Sequence, residues 1–373
     1  MAAANHPPAR PPARLLIVMP ALDMSGIAFA VQNLITGLAR QGCQIFLLAA
    51  ESGEREAAFR NLGINLHVAR YFGIPFLGRR ARTEAAAFKP EIVHAQCLSV
   101  ARRALRLADD LQMPLVVTIN RLDIDRRDNE FLCHHRDIGI IAVSDAIQAH
   151  LASLGISRER VALIPNCLDL AQFPRPDLEN PPSACTTPVI GTYGTLVERK
   201  GQRIFLAAAA EVLRRGVDAE FLIIGQGPDK GALREFAEQM KISHRVTFSP
   251  STSTDIRNLA KIDIFVEPTL QEGLGLSVLQ AMASGVPVVA SGVGGIYSLI
   301  QDGETGLLVA KGDAKAMADA ICSLIADAEK RFDLARRARE RIEREFAAEK
   351  VARAVLAFYA TRLAAARRLE AAQ

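Results

Sequence analysis

Glu272 is the residue of this chain best placed to do chemistry. It lies in the segment EPTLQEGLGLSVLQAMASGVPVVASGVGG (267–295), followed at once by Gly273 and then by Gly275. The loop opens directly into a helical pattern in which Leu276, Leu279 and Ala283 form one apolar face at spacings of three and four. That pattern stops at Gly285. The apolar run 286–290 reads as a buried strand, and a second glycine-rich turn (Gly292, Gly294, Gly295) follows it. Glycines leave backbone N–H groups uncovered, and a helix start carries unsatisfied donors and partial positive charge. The segment therefore predicts a pocket for an anion such as a diphosphate. A carboxylate at the rim of such a pocket adds nothing to phosphate affinity. Its expected work is to grip hydroxyl groups or to answer positive charge on a substrate.

The elements that must position this loop are legible as two similar series of short apolar runs. The first series is 15–20, 45–50, 91–95, 115–119, 140–144 and 161–165; the second is 189–194, 221–225, 246–249, 264–268, 286–291 and 306–310. Each has the length of a strand and is apolar throughout, as expected for strands buried on both faces. Helical patterns separate most of them. One runs through Ile27, Val31, Leu34, Ile35 and Leu38, with Ser25 as its N-cap. Alternating strands and helices predict α/β domains with parallel sheets, whose ligands bind beyond the carboxyl ends of the strands. The proline-rich segment 174–188 reads as the linker, and the tail from Arg331 onward as one long charged helical pattern.

Composition narrows the function classes. The chain has 373 residues, enough for two cores, and a formal net charge of +4, too small to indicate nucleic acid. No apolar run reaches the length of a membrane span. The stretch 1–14 lacks a signal-peptide core and reads as a disordered, proline-rich leader. Six cysteines are scattered without a C-x-x-C pair, which points to reduced thiols in a cytoplasm. Cys133-His134-His135 invites a metal reading, but no further ligand stands at a recognisable spacing, so no metal site is expected. A dehydrogenase is a poor third reading, because the first strand leads into Pro20-Ala21-Leu22-Asp23-Met24-Ser25-Gly26, not G-x-G-x-x-G.

Two Rossmann-like domains, with E-G-x-G-L at a loop-to-helix junction of the second, resemble the GT-B glycosyltransferases, and within them the GT4 family of retaining enzymes. Gly194-Thr195-Leu196 with Lys200-Gly201 is similar to the family's G-R-L…K-G turn. Ile224-Gly225-Gln226-Gly227-Pro228 is similar to its I-G-x-G-P. Ala142-Val143-Ser144 and Ile164-Pro165-Asn166, with Asp169 and Phe173, are similar to its V-S and I-P-N-G-x-D…F. The resemblance implies GT-B architecture: two Rossmann-like domains with parallel sheets facing across a cleft. The expected division is a leader 1–14, an acceptor domain 15–185 and a donor domain 186–349, with the helix from about 350 to 373 packing back on the first.

By the same resemblance, Glu272 contacts the donor sugar and Lys200 neutralises the departing nucleotide diphosphate. Gly273, Leu274, Gly275, Leu276 and Ser277 offer backbone N–H groups to the diphosphate, and Gln280 contacts the ribose. Thr195, Arg199, Gly26 and Gln96 complete the donor-binding set. The activity implied is metal-independent transfer of a hexose-like sugar from a nucleotide diphosphate sugar, with no cofactor. The acceptor is a glycan or lipid-linked molecule in bacterial polysaccharide or glycolipid assembly. Several polar positions depart from the family: Gln280 replaces the second glutamate of E-x7-E, Thr195 an arginine, and Gln96 and Asn120 histidines, while the first glycine pair reads Ser25-Gly26. A GT-B protein that binds nucleotide sugars without turnover therefore stands as the alternative. Phe72, Ile74, Phe76 and Leu77 beside Arg79, Arg80 and Arg82, with Arg102, Arg103 and Arg106, suit either peripheral docking on the inner face of a membrane or a packed loop and a solvated helix face.

Overall fold

The computed structural model describes residues 12–69, 78–174, 187–250, 259 and 261–372. Residues 1–11 of the expected leader, 175–186 of the proline-rich segment, and Phe72, Ile74, Phe76 and Leu77 lie outside the described residues. Two compact units are present: Met1–Cys167 with Ala348–Gln373, and Leu168–Ala347. The division precedes the proline-rich segment because 168–173 already packs within the second unit. Leu168 donates its N–H to Phe346 O at 2.9 Å, and the buried Arg339 donates to Phe173 O at 3.0 Å.

The first unit is a seven-stranded sheet of β1 (Arg14–Ala21), β2 (Gln44–Glu51), β3 (Asn65–Val68), β4 (Ile92–Ala95), β5 (Leu115–Ile119), β6 (Gly139–Ala142) and β7 (Val161–Leu163). Its order is β3-β2-β1-β4-β5-β6-β7, and every pairing is parallel. Between the strands run α1 (Gly26–Arg40), α2 (Glu56–Arg60), α3 (Arg79–Phe88), α4 (Leu98–Leu111), α5 (Arg126–His134) and α6 (Asp145–Ser153). The second unit is a six-stranded sheet of β8 (Val189–Tyr193), β9 (Glu220–Ile224), β10 (Val246–Ser249), β11 (Ile264–Glu267), β12 (Val288–Ser291) and β13 (Leu307–Val309). Its order is β10-β9-β8-β11-β12-β13, again all parallel. Its helices include α7 (Gln202–Arg214), α8 (Lys230–Gln239), α9 (Leu276–Ala283), α10 (Ile296–Leu299), α11 (Ala314–Ala326) and α12 (Ala328–Glu345). The last helix, α13 (Ala348–Ala372), belongs to the first unit.

The strands form where the apolar runs predict them, because both faces of these sheets are covered. Leu15, Leu16, Ile17, Val18 and Met19 are all fully buried. The exception is β3, an edge strand of sequence NLHV that is only half-buried and so carries no continuous apolar signal. Ser25 caps α1 as expected, its hydroxyl accepting from Ala28 N–H at 3.3 Å. The charged tail is not one helix. It breaks between Glu345 and Ala348, and α12 stays with the second unit while α13 joins the first.

Val351, Ala352, Val355 and Tyr359 of α13 enter the core formed by α1 and β1. Gly37 makes this packing close: a Cβ there would stand 2.4 Å from Ala348 O. Beneath α13, fully buried His94 of β4 is bonded at both ring nitrogens, Nδ1 to Tyr359 Oη at 2.5 Å and Nε2 to Thr118 Oγ1 at 2.7 Å. Burial lowers the His94 pKa to about 3, so the ring is neutral at physiological pH.

Two outcomes follow from this packing. Gly37→Ala should destabilise the protein by about 1–3 kcal/mol in chemical denaturation, although alanine is the better helix former. His94 is protonated below its ordinary pKa in the unfolded chain but stays neutral when folded down to about pH 3. Its stabilising contribution is therefore complete above about pH 6.5 and is lost as pH falls through that window toward 3, at up to about 1.4 kcal/mol per pH unit. Urea midpoints measured across this range should fall with pH in the wild type and show a shallower slope in His94→Gln.

Candidate functional site

In each unit the chain lays down strands outward on one side of its first strand and then crosses to the other. The order reverses between β8 and β11 in the second unit, and the loops leaving the carboxyl ends of those two strands flank the place where such sheets bind ligands. The β8 loop carries Thr195, Arg199 and Lys200, and the β11 loop carries Glu272. Two contacts stitch the loops together. Arg199 O accepts from Leu270 N–H at 2.8 Å and from the buried Thr269 hydroxyl at 3.1 Å. At Gly201, φ is +70° and a Cβ would stand 2.0 Å from Pro268 O, so only glycine allows this approach.

This stitching brings Lys200 and Glu272 together at 2.5 Å, Nζ to Oε2. Both side chains are largely buried, 13% and 15% exposed. A third charge joins them that the sequence reading did not single out as functional. Glu267, the last residue of β11, is 1% exposed; its Oε1 lies 3.9 Å from Lys200 Nζ, and its Oε2 accepts the Ser277 hydroxyl. One ammonium is thus shared by two carboxylates. Burial alone would lower the Lys200 pKa, but Glu267 and Glu272 more than offset it, so the ammonium is held above its usual range. Burial pushes the Glu267 carboxyl up, opposed by Lys200 and reinforced by Glu272.

Glu272 leads into α9 through Gly273, Leu274 and Gly275, all buried, with Gly275 as N-cap at φ +103°. Gly273 N–H donates to Glu272 Oε1 at 3.2 Å, and Gly295 N–H to Glu272 O at 3.0 Å, so the second glycine turn clasps the first. The amides of Leu276 and Ser277 open the helix, where no intrahelical acceptor reaches them. The expected single apolar face of α9 gives way to a helix buried nearly all round, from Ser277 to Ala283. Buried Arg339 of α12 holds its far end by donating to Ala283 O, a cation at a helix C-terminus. Gln280 lies in this buried set at 5% exposed. Thr195 and Arg199 are exposed, and Thr195 O accepts from buried Gln202 at 3.1 Å. At the end of β12, the fully buried Ser291 hydroxyl has no hydrogen-bond partner among the described residues.

Gly26 and Gln96 belong to the first unit, at its own reversal of strand order between β1 and β4. Gly26 is exposed at the start of α1. Gln96 is 4% exposed and donates to His94 Nδ1 at 3.1 Å, while its carbonyl accepts from Asn120 at 2.7 Å. His94 is a satisfied core histidine, and with Gln96, Thr118 and Asn166 it borders a cavity of about 20 Å³, room for one water. Among the arginines weighed for membrane contact, Arg80 pairs with Glu84 at 2.8 Å, Arg82 with Asp110 at 3.1 Å and Arg102 with Asp128 at 2.8 Å. Among the described residues no helix is long and apolar enough to cross a membrane, and no group of three His, Cys, Asp or Glu side chains could hold a metal ion.

Comparison with known proteins bears on the family and the fold. Residues 24–172 match the family described as Glycosyltransferase Family 4, and residues 187–327 match Glycosyl transferases group 1. The lipopolysaccharide core biosynthesis glycosyltransferase LpsE of Rhizobium meliloti is 30% identical over 60% of this chain and 64% of its own length. The D-inositol 3-phosphate glycosyltransferase of Nocardia farcinica is 33% identical over 52% of this chain and 48% of its own. The chain thus spans about half to two thirds of the length of these curated relatives. Among solved structures, HepE of Anabaena in complex with UDP-glucose superposes with a TM-score of 0.79 at 18% identity, covering 92% of this chain and 98% of HepE. A sucrose-phosphate synthase of Thermosynechococcus elongatus gives 0.78 at 21%, covering 96% and 100%. Likeness at such identities establishes a shared GT-B fold. With family domains matched in both units, the chain belongs to the family 4 (group 1) glycosyltransferases.

Proposed function

We propose that this protein is a retaining, metal-independent glycosyltransferase that moves a hexose-like sugar from a nucleotide diphosphate sugar to a glycan or lipid-linked acceptor. The observation that carries this reading is the meeting of Lys200 and Glu272 beside the start of α9, at the strand reversal of the second unit. The first-turn amides of α9 and the Lys200 ammonium suit a diphosphate leaving group. Glu272, on a loop at the mouth of the site and 15% exposed, suits the hydroxyls of the donor sugar. With a lysine and a helix start answering the leaving charge, the chemistry has no need of a divalent cation. HepE, of the same fold, binds UDP and UDP-glucose. Relatives that act in lipopolysaccharide core biosynthesis and on phosphatidyl-myo-inositol support a bacterial cell-surface acceptor. The scattered cysteines, without a C-x-x-C pair in the sequence, favour the cytoplasm.

A second reading has its own observation. Thr195 stands exposed where the family carries an arginine, and uncharged Gln280 stands where it carries a glutamate. A protein so changed could bind nucleotide sugars without turning them over.

Incubation with a panel of UDP-, GDP- and ADP-sugars distinguishes the two. The enzyme reading expects nucleotide release that survives EDTA and falls about 100-fold or more in Glu272→Ala and in Lys200→Ala. Binding without release in the presence of membrane-extract acceptors would favour the second reading. Peripheral membrane contact through the first unit is tested separately by co-sedimentation with anionic liposomes. Binding should drop when Arg79, Arg80, Arg82, Arg102, Arg103 and Arg106 become alanine, and unchanged binding would rule this contact out.

A further inference from the structure

We propose that Glu267 is a proton-linked positioning residue: it holds the Lys200 ammonium in place and takes up a proton when a nucleotide diphosphate binds. The proposal rests on the donor-site reading given above and adds to it a residue and a linkage.

Among the described residues Glu267 has two polar contacts, the ammonium of Lys200 and the hydroxyl of Ser277. Both belong to groups that a diphosphate at the start of α9 would claim. The charged groups acting on it are Lys200, Glu272 and, more weakly, Arg199, which is exposed. With both carboxylates ionised, the buried part of this cluster carries one positive and two negative charges. That sum has the wrong sign for an anion bearing two or more charges.

The two carboxylates differ in how they can resolve the conflict. Glu272 lies on a loop and keeps 15% of its side chain exposed, so turning from Lys200 toward sugar hydroxyls moves it into solvent-facing space. Glu267 ends a strand in the middle of the sheet at 1% exposed, and has nowhere to go. Once the diphosphate takes Lys200 and Ser277, nothing is left to hold the buried carboxylate in its charged form. It then gains one proton from solvent, becoming a neutral carboxylic acid, while Lys200 keeps its proton and exchanges carboxylate for phosphate. Burial already pushes the Glu267 carboxyl in this direction. The loss of the family's arginine at Thr195 fits the same logic, since the site lowers its negative charge by protonation rather than by a second cation.

Calorimetric titration of the full-length protein tests this, using whichever of UDP, GDP and ADP binds. Buffers of different ionisation heat, at about pH 7.5 to 8.5 where the nucleotide's own phosphates are ionised, report the protons exchanged. The wild type should take up a large fraction of one proton per nucleotide, with affinity weakening by up to about tenfold per pH unit as pH rises. Glu267→Gln should take up none and, at about pH 8.5, should bind roughly tenfold more tightly than the wild type. If that variant does not fold, Ser277→Ala assigns the proton. Removing a hydrogen bond to the ionised carboxylate should move the uptake to higher pH. Nucleotide binding with no proton taken up, or with equal uptake in Glu267→Gln, overturns the role of Glu267 alone. Failure of every nucleotide to bind the wild type overturns the donor reading and this proposal with it.

Discussion

One ammonium held between two carboxylates governs the ligand end of the second unit. Burying charge is costly unless every member is paired, and removing one partner of such a group typically costs about 3–5 kcal/mol. Lys200 can sit at 13% exposed only because Glu267 and Glu272 face it. Each of the three comes from a different place: a turn after β8, the last residue of β11, and the loop before α9. Their meeting therefore fixes the separation of β8 and β11 loops at the point where the sheet order reverses.

The rest of the second unit serves this meeting. Thr269 and Leu270 tie the two loops through Arg199 O, and Gly201 permits the contact with Pro268. The glycine turn 292–295 clasps Glu272 from the other side through Gly295. Buried Arg339 fixes the far end of α9 and leaves its first-turn amides at the free end. The first unit shows the same plan at its own reversal, where Gln96 is held by His94 and Asn120. There, however, the polar groups satisfy one another, and among the described residues no charged side chain lines the cavity beside them.

The sequence displays this fold well because its strands are buried on both faces and read as unbroken apolar runs. It hides β3, since an edge strand with one wet face has no such run. It hides the break at Phe346 for a different reason: helical periodicity resumes after a two-residue interruption, and only packing reveals that α13 belongs to the other core. Glu272 was legible because glycines and a helix start surround it. Glu267 was not, because a glutamate before Pro268 at a strand end reads as ordinary punctuation. Its signal lies in three dimensions, where the carboxyl end of a central strand meets the helix N-terminus. The apolar stripe assigned to α9 was too narrow because Ser277 and Gln280, polar in type, are buried for reasons of position.

Donor binding as proposed requires the Lys200–Glu272 pair to open and admit a diphosphate at the start of α9. A crystal structure of the protein with the nucleoside diphosphate that binds it tests this most directly. Phosphate oxygens should lie within hydrogen-bond distance of Lys200 Nζ and of the Leu276 or Ser277 amide, with Glu272 turned away from the lysine. A nucleotide bound elsewhere, with Lys200 and Glu272 still paired at 2.5 Å, would contradict it.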